Sequence, residues 1–193
     1  PADQPDGKIG APSNQVISED FYVTVHAVDE YFNPINAGPY PVVSFNSTDP
    51  GAILSGGSMG NASWPYNITM NTLGVQQLGV SDGSKNDSIT IEVVPGPVQR
   101  YEISNITSPK DVNVPFNITI NARDAFDNIT PVNNTLNLTL SVGPNSLLPQ
   151  AVTLVNGVWS GTVTSYGSGL NLTINAADQQ AVPITGVSNQ FNV

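Results

Sequence analysis

The chain contains no cysteine at all. Disulfides, thiol nucleophiles and thiolate metal sites are excluded together. Most small animal ectodomains lean on disulfides, so a cysteine-free chain with secreted character points to a prokaryotic surface protein. Cationic residues are almost as scarce, with five Lys and Arg against fifteen Asp and Glu and a net charge of -10. That balance leaves no footprint for nucleic-acid phosphates or anionic lipid headgroups. Charged residues make up only 10% of the chain, and solubility falls to Asn, Ser, Thr, Gln and Gly. No apolar run approaches the ~18 residues of a membrane span, so no membrane insertion is expected of this fragment. The sequence opens at Pro1 without a basic and apolar signal region and ends on Phe191-Asn192-Val193, which reads as a piece of something longer.

What is present is a repeat. Shifting the chain by 95 positions lays Phe21-Tyr22-Val23-Thr24-Val25-His26-Ala27-Val28-Asp29-Glu30-Tyr31-Phe32-Asn33 over Phe116-Asn117-Ile118-Thr119-Ile120-Asn121-Ala122-Arg123-Asp124-Ala125-Phe126-Asp127-Asn128 without a gap. The same offset matches Asn61 with Asn156, Trp64 with Trp159 and Gly74 with Gly169, and one more residue brings Asp82 onto Asp178. Solenoid units run ~20–50 residues, so this period describes an array of separate domains. The seam is placed at Pro95-Gly96-Pro97, giving a first copy over 1–95 and a second over 96–193. Two prolines around one glycine make a short, stiff link, and a semi-rigid rod is the expected product.

Inside each copy the hydrophobic period is two. Phe116, Ile118, Ile120 and Ala122 alternate with polar residues, as do Leu136, Leu138, Leu140 and Val142, and Leu170, Leu172, Ile174 and Ala176. The first copy does the same with Phe21, Val23, Val25 and Ala27, with Val43 and Phe45, and with Trp64, Tyr66, Ile68 and Met70. Apolar-in, polar-out alternation broken by Asn33-Pro34, Asp49-Pro50-Gly51, Gly56-Gly57 and Asp82-Gly83 predicts an all-β chain of two antiparallel β-sandwiches. Helical periodicity is missing.

The pattern Phe-x-hydrophobic-Thr-hydrophobic-x-Ala-x-Asp-x-aromatic-x-Asn, followed by a Gly-led strand and a Pro-Gly exit, resembles the tandem immunoglobulin-like repeats of bacterial and archaeal cell-surface proteins, of surface-layer or adhesin-stalk type, and more loosely filamin repeats. The resemblance covers nearly the whole chain and implies two tandem immunoglobulin-like domains, an extracellular place on the cell surface, neighbouring repeats or other surface proteins and glycans as partners, and no catalysis. Phe32 and Asp127 stand where such repeats carry Gly before the Asn, and the stretch up to Ser13 matches Val98–Ser108 poorly.

Candidate chemistry is sparse. Ten Asn-x-Ser/Thr sequons start at Asn46, Asn61, Asn67, Asn86, Asn105, Asn117, Asn128, Asn133, Asn137 and Asn171; chance placement of 22 Asn and 33 Ser or Thr gives about four. Residues two apart on a strand share a face, so a wet face rich in Asn and Thr raises the count without any glycan. Asn is nevertheless a poor strand former, and Asn67, Asn117, Asn137 and Asn171 all fall on the outward phase, where a sugar can project. N-glycosylation is the expected use, favouring an archaeal source.

Alternation puts Asp29 and Asp124 on the inward face. Either Asp29/Asn33 and Asp124/Asn128 close a turn through backbone amides, or the four side chains hold Ca²⁺ with help from Asp82 or Asp178. A Lys–Asn isopeptide crosslink beside Asp124, using Lys110, with Lys8 in the first copy, is a third possibility. His26 reads as a solvated residue, since its counterpart is Asn121. Glu19-Asp20 and Asp29-Glu30 are strand neighbours on opposite faces and cannot flank one glycosidic bond. Trp64 and Trp159 read as core.

The function expected is therefore non-catalytic: structural or spacer modules of an extracellular cell-surface glycoprotein. The alternatives are a carbohydrate- or receptor-binding adhesion module using Tyr31, Phe32, Tyr40 and Phe126, and an accessory domain of a larger extracellular enzyme. The low charge density also suggests tolerance of acid.

Overall fold

A computed structural model describes residues 11–143 and 146–193. Two compact units meet after Val94, the second beginning at Pro95. Among the described residues every regular element is a strand.

The first copy contains β1 (Gln15–Val16), β2 (Asp20–His26), β3 (Val42–Ser47), β4 (Ile53–Leu54), β5 (Gly57–Ser58), β6 (Ser63–Thr69), β7 (Gly74–Ser81) and β8 (Asn86–Val94). One sheet has the order β1-β8-β7-β3-β5 and the other β2-β6-β4. The second copy contains β9 (Arg100–Ile103), β10 (Pro115–Arg123), β11 (Thr135–Leu140), β12 (Leu147–Leu148), β13 (Ala151–Thr153), β14 (Val158–Ser165), β15 (Ile174–Asp178) and β16 (Thr185–Val187). Its sheets run β12-β14-β10-β9 and β13-β11-β15-β16. Pairing is antiparallel apart from β1 beside β8. The strands match at the repeat offset: Phe21 lies opposite Ile68 as Phe116 lies opposite Val163.

Alternation becomes a core because successive side chains of a strand leave opposite faces. In the second copy Phe116, Ile118, Ile120, Ala122, Leu136, Leu138, Leu140, Ile174 and Ala176 join Tyr101, Val163 and Phe191 in one cluster. Phe116 and Phe191 meet edge to face at 5.8 Å, the arrangement that ring quadrupoles favour. Two positions expected inside are out: Val142 and Leu170 are exposed, the latter at 75%. Both follow the point where their ladder ends or precede the point where it begins, and alternation predicts a face only where the chain is a strand. Asn171, read as mid-strand, has φ 55 and lies in the bend ahead of β15.

The β13–β14 hairpin turns on Asn156 and Gly157, with φ 50 and 81. Val155 and Val158 exchange both backbone bonds across it. Positive φ at both central residues is the turn that matches strand twist and that Asn-Gly adopts readily.

The first copy is assembled differently. Its buried side chains fall into two clusters, one around Ile68, Met70, Leu78 and Ile91, the other around Val43, Met59 and Tyr66. Phe21, Val23, Val25 and Ala27 are only half-buried, whereas their counterparts Phe116, Ile118, Ile120 and Ala122 are at most 8% exposed. Among the described residues β10 has β9 beside it, and no strand pairs with β2 on the side away from β6.

Candidate functional site

Both copies build the same turn after their long strand. In the first, Asp29 N–H donates to the Asn33 carbonyl at 2.9 Å and Phe32 N–H to the Asp29 carbonyl at 3.0 Å. In the second, Asp124 N–H donates to Asn128 at 3.0 Å and Asp127 N–H to Asp124 at 3.3 Å. Phe32 and Asp127 take φ 62 and 72. This is the conformation glycine adopts freely, so the turn expected of glycine-bearing repeats forms here with side chains in place.

The carboxylates hold these turns by collecting N–H groups. Asp29 Oδ1 accepts Tyr31 N–H and Asn33 N–H, each at 2.9 Å, and Oδ2 accepts the Asn33 amide at 3.1 Å. Asp124 Oδ1 accepts Phe126 N–H at 2.9 Å and Asn128 N–H at 2.8 Å, while Oδ2 accepts the Asn128 amide at 3.1 Å and Gly96 N–H at 3.0 Å. Thr130 Oγ1 donates to the Gly96 carbonyl, fastening the same segment from the other side.

The inward reading is right for Asp124, which is 2% exposed, and wrong for Asp29, which is exposed. Gly96 supplies the cover in the second copy; its counterpart at the offset is Pro1, outside the described residues. The Asn33 backbone and side-chain donors hold the Asp29 carboxyl below its ordinary value. At Asp124 burial works upward, and the donors on Asn128, Gly96 and Phe126 outweigh it, so that pKa is lowered as well.

These side chains offer a cation little. Asp82 spends Oδ1 on Ser84 and Lys85, and Asp178 Oδ2 accepts Tyr101 Oη–H at 3.0 Å. Among the described residues no group of three or more His, Asp or Glu side chains could hold a metal ion. The contacts of Asp29, Asn33, Asp124 and Asn128 close the two turns.

The crosslink expectation meets a contrary geometry. Lys110 Nζ donates to Thr107 Oγ1 at 2.9 Å and stands 5.3 Å over the Phe116 ring. Phe116 and Asp124 lie at opposite ends of β10, eight residues apart, or about 26 Å along a strand. Lys8 lies outside the described residues.

His26 is exposed. Asp20 receives Thr69 Oγ1–H and the Asn67 amide, both within its sheet. Trp159 packs against the second core. Trp64 departs from the core reading: it is 37% exposed and lies across Gly60, where an added Cβ would meet its ring at 2.3 Å.

Eight sequon asparagines, Asn46, Asn61, Asn86, Asn105, Asn117, Asn133, Asn137 and Asn171, are exposed. Asn67 and Asn128 are half-buried, and their side-chain nitrogens already serve Asp20 and Asp124. Their sequon threonines, Thr69 and Thr130, are buried at 8% exposure.

One surface feature was not anticipated from the sequence. A cleft of about 1660 Å³ runs between the sheets of the first copy, lined by Val23, Val25 and Ala27 of β2, by Val43 and Phe45 of β3, and by Val80 of β7. Ala11 and Pro12 also line it. Hydrophobic alternation reports which face is inward, not whether a neighbouring strand covers it.

No family model matches the chain, and no curated protein is significantly similar to it. Among solved structures, the Escherichia coli adhesin FdeC superposes with a TM-score of 0.55 at 18% identity, over 95% of this chain and 62% of that one. The D00-D0 domains of intimin give 0.54 at 12% identity, over 96% of this chain and 98% of that fragment. This chain thus spans less than two thirds of the adhesin structure and nearly all of the intimin fragment. Both likenesses are of fold, and they bear out the resemblance stated from the sequence: the chain is all-β, two tandem immunoglobulin-like sandwiches of the kind found in surface adhesins.

Proposed function

We propose that the two copies are non-catalytic spacer modules of an extracellular cell-surface glycoprotein, of adhesin-stalk or surface-layer type. One observation carries this reading: eight of ten sequon asparagines stand exposed on a repeated scaffold whose carboxylates are turned to closing its own turns. Antiparallel sandwiches resist extension through many cross-strand bonds, so a repeated sandwich holds a distal part away from its anchor. A polar, glycan-bearing face then keeps neighbouring stalks from adhering, because apolar patches are what drive such contacts.

The domain limits follow the repeat, 1–95 and 96–193, with the partners expected of a stalk: neighbouring repeats and other surface components. The test is glycopeptide mapping of native material, paired with binding of the 193-residue chain to glycan arrays and immobilised surface proteins. Occupied sequons with no saturable ligand support the spacer. Bare asparagines with a saturable glycan or receptor overturn it in favour of an adhesion module.

A further inference from the structure

Among the described residues, the opening and closing segments of the second copy share no strand ladder. Ser104 N–H donates to the Thr119 carbonyl at 2.8 Å; the chain then leaves β10, and Ile106 sits outside every strand at 3% exposure. Backbone groups that deep need partners from the protein. One side chain supplies both. Asn189 Oδ1 accepts Ile106 N–H at 2.8 Å, and Asn189 Nδ2–H donates to the Ile106 carbonyl at 2.9 Å. A carboxamide is a peptide group carried on a side chain, so Asn189 makes the pair of bonds that a neighbouring strand would make. Further along, Asn192 N–H donates to Ser108 Oγ at 3.0 Å and Lys110 N–H to the Asn192 carbonyl at 2.9 Å.

These contacts have a direction. Tyr101 lies against Gly186, Ile106 against Asn189 and Lys110 against Asn192, so the two segments run parallel. The first copy makes the corresponding junction from backbone, with β1 parallel to β8 and Ile17 N–H on the Val94 carbonyl at 3.0 Å. Tension along the chain pulls the opening and closing segments of a copy in opposite directions. Parallel segments pulled this way are sheared, and their bonds share the load. An antiparallel hairpin pulled open at one end instead peels one bond at a time. The Ile106–Asn189 pair thus lies directly in the path of the force.

We propose that Asn189 is a load-bearing clamp, whose side chain sets how long the second copy survives tension applied along the chain. The use of such a clamp rests on the spacer reading above; the clamp itself is tested by pulling alone, whatever the glycan and ligand assays return.

The test holds the whole 193-residue chain at constant force, where lifetime reports the unfolding rate. Because the sequence has no cysteine, handles attach only where one is introduced. Pro97→Cys with a cysteine added after Val193 loads the second copy from end to end. Ala125→Cys with Tyr166→Cys, both at exposed positions, loads β10 against β14 and leaves Ile106 and Asn189 outside the stretched segment. Asn189→Ala deletes both bonds to Ile106. It is expected to shorten the end-to-end lifetime about tenfold or more and to leave the 125–166 lifetime unchanged. Asn189→Asp, which keeps the acceptor for Ile106 N–H and loses the donor, falls between.

Equal shortening in both directions overturns the proposal, since it marks an ordinary loss of stability. An end-to-end lifetime that neither variant changes overturns it as well, placing the load on other bonds. If Asn189→Ala fails to fold by Trp159 fluorescence, Asn189→Asp decides: shortening confined to the end-to-end direction supports the clamp, and any other result overturns it.

Discussion

Replacing Asp124 by Ala tests whether one buried carboxylate organises the entry to the second copy. The substitution strips the acceptor from three backbone donors, on Gly96, Phe126 and Asn128, and from the Asn128 amide. Hydrogen bonds to a charged group contribute about 1.5–3 kcal/mol each, and bonds converging on one group are not additive. With the site 2% exposed, water replaces the lost acceptor only partly, and a loss of about 3–4 kcal/mol follows. One Trp per copy makes this measurable: in a Trp64→Phe background, Trp159 fluorescence follows urea unfolding of the second copy alone. At a slope of about 1–3 kcal/mol/M, the midpoint falls by about 1–4 M. Asp29→Ala, followed through Trp64 in a Trp159→Phe background, shifts the first copy much less, because its donors are exposed and turn to water. Asp124→Asn falls between, keeping one oxygen but setting an amide against the Gly96 N–H. A loss below about 1 kcal/mol for Asp124→Ala, or equal shifts in the two copies, would refute the reasoning.

Acid is the next test. Asp29, Asp49, Asp82, Glu102 and Asp124 all have lowered pKa values in the fold, and a depressed carboxylate stabilises above its unfolded pKa and loses that contribution as pH falls through its folded one. Urea midpoints should match at pH 7 and 5 and drop clearly at pH 3; a pH 3 midpoint equal to that at pH 7 would show that these bonds contribute nothing. Packing in the two copies is compared by a matched pair: Ile118→Ala, at a 3% exposed site, costs about 2–5 kcal/mol, and Val23→Ala, half-buried beside the cleft, costs clearly less by the same Trp readouts. Equal costs would mean that the cleft is closed in solution. Glycopeptide maps of native protein should show sugar at the eight exposed sequons while Asn67 and Asn128 stay bare, because their side-chain nitrogens are bound and their threonines buried; full occupancy at either would contradict that placement.

Period-two alternation made β10, β11 and the core of the second copy legible, down to Ile118, Ile120, Leu136 and Leu138. It failed where the chain leaves a ladder, at Val142, Leu170 and Asn171, since polarity carries no marker for the residue at which a strand stops. Asp29 and Asp124 are indistinguishable in the repeat, yet one is exposed and the other buried under Gly96; the difference depends on a segment distant in sequence. The opening stretch up to Ser13 matched Val98–Ser108 poorly, and its first ten residues lie outside the described part of the chain. Sparse charge suggested acid tolerance, but the few carboxylates are engaged in native bonds, and only a structure reveals that.

The Asn156-Gly157 hairpin bears on how this molecule ages. An asparagine followed by glycine is prone to deamidate, because the next backbone nitrogen can attack the side-chain amide unhindered and close a succinimide. Here that nitrogen is committed: Gly157 N–H donates to the Val132 carbonyl at 2.8 Å. Asn156 N–H is held by Asn133 Oδ1 at 2.9 Å. Cyclisation therefore waits for the hairpin to open, which sets its rate by local unfolding rather than by intrinsic chemistry. Isoaspartate accumulating at Asn156 becomes a clock for how often this corner of the second copy comes undone over the protein's lifetime.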